Sequence, residues 1–163
     1  MNPSFTPNEN IEKLSNIPKT ENDFESIRQL LHKAALEGDV QTIKYVLSNG
    51  YCSVRNQNDH NIILDSSYKN DWKLVKLLIE NGDDYKVVKY DNTNILHFFS
   101  QCENPEACQY LVNLIDPELE TTYGSKAADL CHGNNEIIQI LRSRNLEFGL
   151  RSFLGRQRFS LFQ

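Results

Sequence analysis

The 163-residue chain lacks any long apolar run: the longest are a few residues, as in Ile62–Leu64, so no segment can span a bilayer as a helix. An excess of positive charge is also missing. Seventeen Lys and Arg stand against 22 Asp and Glu, net −5, which argues against a chain that is basic throughout, the footprint of a dedicated nucleic-acid binder. Residues 1–19 carry Asn, Pro and Glu where a secretory signal would need a basic start and an apolar stretch, so no signal is read. Glycine (seven) is scarce, and no phosphate-cradling Gly-rich loop, GxSxG or HExxH pattern occurs, so no enzyme constellation is read. The four cysteines, Cys52, Cys102, Cys108 and Cys131, show no CxxC spacing. Reduced, mostly buried thiols are a better reading of them than a metal site joining Cys102 and Cys108 to His97 and His132. What remains is a soluble, mildly acidic domain of cytoplasmic type, with no cofactor expected and enough length to bury a core without staples.

Charge is present but unevenly placed. Residues 1–25 carry two Lys and five acids, residues 26–141 ten bases and sixteen acids, and residues 142–163 five Arg and one Glu. Within the middle block, Glu103–Glu136 holds seven acids and the single base Lys126. An acidic body thus ends in an Arg-rich tail. Asparagine (18) and isoleucine (12) are abundant and alanine (5) is rare, a bias that suits an AT-rich genome such as that of a parasite, intracellular bacterium or large virus.

The chain also repeats. Leu31–Gly50 aligns end to end, without a gap, with Ile63–Gly82. Both segments have small residues at the fourth and fifth places (Ala34-Ala35, Ser66-Ser67) and an apolar run before Asn-Gly. A third copy begins at Leu96-His97, and a fourth runs from Gly124 through Ala127-Ala128 to Gly133-Asn134 and Ile137-Ile138. In the first three copies apolar residues recur at helical spacing, as in Ile43, Val46 and Leu47, then Val75, Leu78 and Ile79, then Cys108, Leu111 and Val112. One helix pair cannot bury that stripe alone, so neighbouring pairs are expected to stack.

This register resembles the ankyrin repeat. The residues that carry the likeness are Leu31-His32-x-Ala34-Ala35-x-x-Gly38, Leu77-Leu78-x-x-x-Gly82, Ile95-Leu96-His97 and Gly133-Asn134 with Ile137-Ile138. The first copy matches strongly; the later ones are degenerate, and the fourth is short in its first helix. The resemblance implies an all-α, ankyrin-repeat solenoid of stacked helix-turn-helix units with hairpin loops, over residues 20–143. Repeats are placed near 26–57, 58–89, 90–120 and 121–143, after a polar, partly disordered arm over 1–19 and before a basic-aromatic cap or tail over 144–163. Thr20 with Asp23 reads as a capping pair for a helix whose Phe24, Ile27 and Leu31 share a face.

Carried over position by position, the resemblance implies contact residues on inner helices and hairpin tips. These are Lys33 and Leu36 in the first repeat, Arg55, Asp59 and His60 at the first hairpin, and Tyr68 and Lys69 in the second repeat. Trp72 after the inter-helix turn, Tyr90 and Asp91 at the next hairpin, and Phe98 and Gln101 in the third repeat complete the set. Tyr68, Tyr90 and Phe98 are the expected anchors, because exposed aromatics dominate interface energetics. His32 and His97 match the family's helix-opening histidine, which implies a structural role tying the helix start to the preceding hairpin. Asp65 is read where the pattern has His, and Asn94 where it has Thr.

The expectation is a non-enzymatic module that binds or sequesters a partner protein through its concave face and hairpin tips. The acidic body favours a partner with basic patches, with no nucleic acid expected. A pathogen or viral factor acting on host proteins, in host cytoplasm or nucleus, fits the composition. The alternative is an assembly component docking through its tail, with Arg151, Phe153, Arg156, Arg158 and Phe159 as contacts on a partner or on the chain's own acidic repeats.

Overall fold

The computed structural model describes residues 8–143. The tail contacts Arg151, Phe153, Arg156, Arg158 and Phe159 lie outside the described residues. Two units can be described, one ending at Tyr90 and one beginning at Asp91.

The first unit contains α1 (Glu9–Ser15), α2 (Phe24–Glu37), α3 (Val40–Ser48), α4 (Ile62–Tyr68) and α5 (Trp72–Glu80), with 3-10 turns at Glu21–Asp23 and Tyr51–Ser53. The longer helices bury one stripe each: Phe24, Ile27, Leu31, Ala34 and Ala35 on α2, Ile43 and Val46 on α3, and Leu74, Val75 and Leu78 on α5. The short α4 buries every residue from Ile62 to Ser67. Each fully buried Leu, Ile or Val contributes about 1.5–3 kcal/mol relative to an exposed one. The second unit contains α6 (Ile95–Gln101), α7 (Pro105–Leu111), a 3-10 turn at Ala127–Asp129 and α8 over 135–143. No strand occurs among the described residues.

The repeats are plainest in the backbone between paired helices. Gly38, Asn70, Glu103 and Gly133 all have positive φ, and the residues after them, Asp39, Asp71, Asn104 and Asn134, each cap the next helix. In the first three, the capping residue's N–H also bonds back into the preceding helix, to the carbonyls of Ala34, Ser66 and Phe99. A left-handed residue there satisfies carbonyls that the helix end would leave unpaired. The connecting turns repeat as well. The Asn56 N–H donates to His60 O at 2.9 Å and Asp59 N–H to Asn56 O at 3.0 Å, as Thr121 does to Ser125 and Gly124 to Thr121, both at 2.9 Å.

Three details differ from the expectations. Leu31-His32 does not open a helix, because α2 begins two turns earlier at Phe24 and nothing between Phe24 and Leu31 breaks the apolar stripe. Thr20 makes no side-chain cap; its hydroxyl bonds the Asp23 carboxylate instead. Part of the stretch read as a polar arm forms α1, whose N-cap Asn8 accepts from Ile11 N–H at 3.1 Å just as Asp39 accepts from Thr42. Helix α1 is held on the α2–α3 turn by amide bonds from Asn8 and Asn10 to Asp39, and its buried Leu14 offers a carbonyl to the Tyr51 hydroxyl at 2.8 Å.

Candidate functional site

Charge in the first unit concentrates where the start of α2 meets the end of α4. Glu25 and Arg28, one turn apart on α2, pair at 2.7 Å. Lys69, just past α4, reaches Glu25 at 3.1 Å and Asp65 at 3.3 Å. The Arg28 hydrogen bonds, with those from Lys69 and Gln29, push Glu25 down to about 2. Asp65 is buried, and its Oδ1 accepts from Asn56 Nδ2 and from His60 Nδ1, each at 3.1 Å. Burial alone would raise its pKa, but the His60 hydrogen bond and the Lys69 charge prevail and hold it below the usual value. The two helix ends and the Asn56–His60 turn enclose a cavity of about 370 Å³.

The candidate contacts fall into three groups. Leu36, Tyr68 and Tyr90 are exposed by 58%, 53% and 70%, and Gln101 is exposed as well. Leu36, Tyr68 and Gln101 share one repeat position, each falling one repeat beyond the last. Lys33 is half-buried and pairs with Glu37 at 3.6 Å. A second group is engaged in holding loops. Arg55 donates to Asp59 O at 2.6 Å and Val88 O at 3.3 Å, and the Asp59 carboxylate accepts from Tyr90 N–H at 2.7 Å. Asp91 Oδ1 accepts from Thr93 N–H at 3.1 Å within the second unit. The third group requires correction: His60, Trp72 and Phe98, read as exposed, are only 3%, 8% and 6% exposed. His60 is drawn under the turn by Asp65 and lies 5.4 Å from the Tyr68 ring, Trp72 joins Leu74 and Val75 in the buried part of α5, and α6 buries the whole stretch from Ile95 to Ser100.

Sequence reasoning missed Glu25, Arg28 and Tyr123. Tyr123 is exposed on the Thr121–Ser125 turn, one repeat after Tyr90, and the repeat offset alone would have found it. Leu64 is the counterpart of His97, one turn after the cap Asn61 as His97 is after Asn94, so Asp65 stands one place beyond the position first assigned to it.

The two matching histidines differ. His97 Nδ1 accepts from Asn94 N–H at 3.1 Å while Asn94 caps α6, so its Nε2 carries the proton and donates to Leu119 O at 3.0 Å. Burial lowers its pKa, keeping it neutral. The ring therefore ties the start of its helix to Asn94 at the end of the preceding loop and, through Nε2, to the loop that follows. His32 lies inside α2 and contacts Asp71 Oδ2 at 2.6 Å, joining one inter-helix turn to the next repeat. Burial raises the Cys52 thiol and pushes Cys108 up to about 12, so both stay protonated at neutral pH. Among the described residues, no three His, Cys, Asp or Glu side chains form a group able to hold a metal ion.

No family model and no curated protein matches the sequence. Solved structures do match, 103 chains of them. Among these is the ankyrin repeat domain of Bcl-3, described as a unique member of the IkappaB protein family, with a TM-score of 0.57 at 20% identity, covering 69% of this chain and 50% of that one. The chain has the ankyrin-repeat fold. It spans half the length of the Bcl-3 domain it matches. Ankyrin domains are generally non-enzymatic modules for binding proteins. No helix among the described residues is long and apolar enough to cross a membrane.

Proposed function

We propose that this protein is a non-enzymatic interaction module that binds or sequesters a partner protein through the exposed ends of its inner helices and its connecting turns. The observation that carries the reading is the exposure of Leu36, Tyr68 and Tyr90 in a fold whose other large apolar side chains are mostly buried. Tyrosine is among the side chains that supply most of the energy in protein interfaces, so Tyr68 and Tyr90 are the expected anchors. A partner with basic patches suits the acidic body, and a host protein suits the Asn- and Ile-rich composition. The second reading, assembly through the Arg/Phe tail, draws on the net +4 of residues 142–163.

The test is affinity capture from a host-cell lysate with the full chain and with Leu36, Tyr68 and Tyr90 changed together to Ala. Capture should fall at least about tenfold, since two or three anchors each contribute about 1–2 kcal/mol, while the melting temperature stays within a few degrees. Capture that survives the triple substitution but disappears on deleting 144–163 would replace this reading with tail-mediated assembly.

A further inference from the structure

The cavity between the start of α2, the Asn56–His60 turn and the end of α4 has a chemistry that the general reading does not explain. Its walls bring together three carboxylates (Glu21, Glu25, Asp65), the amide of Asn56, the half-exposed Tyr68 ring and one ammonium, Lys69. Asp65 is the decisive member. Its Oδ1 is fully used by Asn56 and His60, but its Oδ2 is buried without a hydrogen bond. Two cations only approach that oxygen, Lys69 Nζ at 3.3 Å and Arg28 Nε at 3.6 Å. Neither reaches hydrogen-bonding geometry, and the long, exposed Lys69 stem is a loose way to attend to a buried carboxylate oxygen.

We propose that this cleft is a receptor for an arginine side chain of the partner protein, and that Lys69 is the intramolecular stand-in that fills it until the partner arrives. This rests on the reading that a protein docks on this surface. A guanidinium presents several donors in one plane, which lets it bond Asp65 Oδ2 and a Glu25 oxygen together, where the Lys69 ammonium bonds Glu25 at 3.1 Å but only approaches Asp65 Oδ2 at 3.3 Å. Its flat face suits the Tyr68 ring that forms one wall. Lys69 swings out to water at little cost, because its side chain is already more than a third exposed.

The peptides acetyl-Gly-Arg-Gly-amide, its citrulline counterpart and its lysine counterpart are titrated into the full chain and followed by amide and aromatic NMR shifts. The arginine peptide should give saturable shifts at Asn56, His60, Tyr68 and Lys69, and the neutral citrulline peptide none. Lys69→Gln removes the competitor and should tighten arginine binding about threefold, whereas Glu25→Gln should weaken it by a similar factor. Both side chains are exposed, and melting curves check that each variant keeps the fold. Equal shifts from the citrulline or lysine peptide, no saturable shift at the cleft, or weaker binding by Lys69→Gln would each overturn the proposal. If the peptides fail while the triple Ala variant still loses capture, the interaction module stands and the arginine receptor falls.

Discussion

Asp83 carries a charge in the wrong surroundings. Its Oδ1 accepts from Asp84 N–H at 2.9 Å, whereas its Oδ2 is buried with no hydrogen bond. Burial, reinforced by the neighbouring Asp84 charge, pushes its pKa up to about 6. A carboxyl whose folded pKa lies above its unfolded value of about 3.9 stabilises the fold fully below that value. The contribution is lost as pH rises through about 6. Urea unfolding of wild type and Asp83→Asn at pH 4 and pH 7 should therefore show the variant gaining about 2 kcal/mol relative to wild type over that interval. A parallel response of the two proteins would refute the assignment. His60 teaches a different lesson about single side chains. In the sequence it reads as a tip residue, between Asp59 and Asn61 in an Asn-rich loop. What buries it is Asp65, in the helix that follows, a pairing that depends on how tightly the turn closes and that no local pattern announces.

At the scale of elements, the helices follow their caps. Asp39 serves two of them at once. It caps α3 through Thr42 N–H at 3.1 Å and also takes the amides of Asn8 and Asn10 from α1. Burial would raise its pKa, yet the hydrogen bonds from Thr42, Asn10 and Asn8 prevail and lower it. Asp39→Ala should destabilise the protein by about 2–3 kcal/mol, a lost cap plus charge-assisted bonds, in denaturant unfolding. Asp39→Asn, which keeps the cap, should cost less. Hydrophobic periodicity located α2, α3, α5 and α7 in the sequence because their apolar residues recur at helical spacing. It was blind to α1, whose attachment is made largely by side-chain amides and which buries only Asn10 and Leu14. The repeat offset would have served better: Asn8, Asp39, Asp71, Asn104 and Asn134 are equivalent caps, each about one repeat beyond the last.

For the whole molecule, the repeat fold was readable and side-chain exposure only partly so. Glycines and caps mark a backbone scheme that tolerates degenerate side chains, so four copies could be counted from residues alone. Exposure depends on which neighbours fill the space, so Tyr68 and Tyr90 met expectation while Trp72 and Phe98 did not. Net charge acts at this scale too. Deleting residues 144–163 removes four Arg and one Glu, taking the chain from −5 to about −8. Association with a captured basic partner, followed by stopped flow, should become faster on deletion, and its rate should fall about tenfold as salt rises from about 0.05 to 0.5 M. A salt-independent rate would mean that charge does not guide the encounter.

The helix-ending Asn49-Gly50 and Asn81-Gly82 pairs also set how the protein ages. Asn-Gly is the dipeptide at which an asparagine amide is most readily lost, because the unhindered glycine nitrogen can attack the side-chain carbonyl and close a succinimide ring. Here each Asn amide is tethered one turn back, to Tyr45 O and Leu77 O at 2.8 Å, and the Gly82 nitrogen is itself committed to Ile79 O at 3.1 Å. The folded helix ends thus hold the reactants out of alignment, and deamidation at these two sites becomes a chemical record of how often the ends of α3 and α5 have opened.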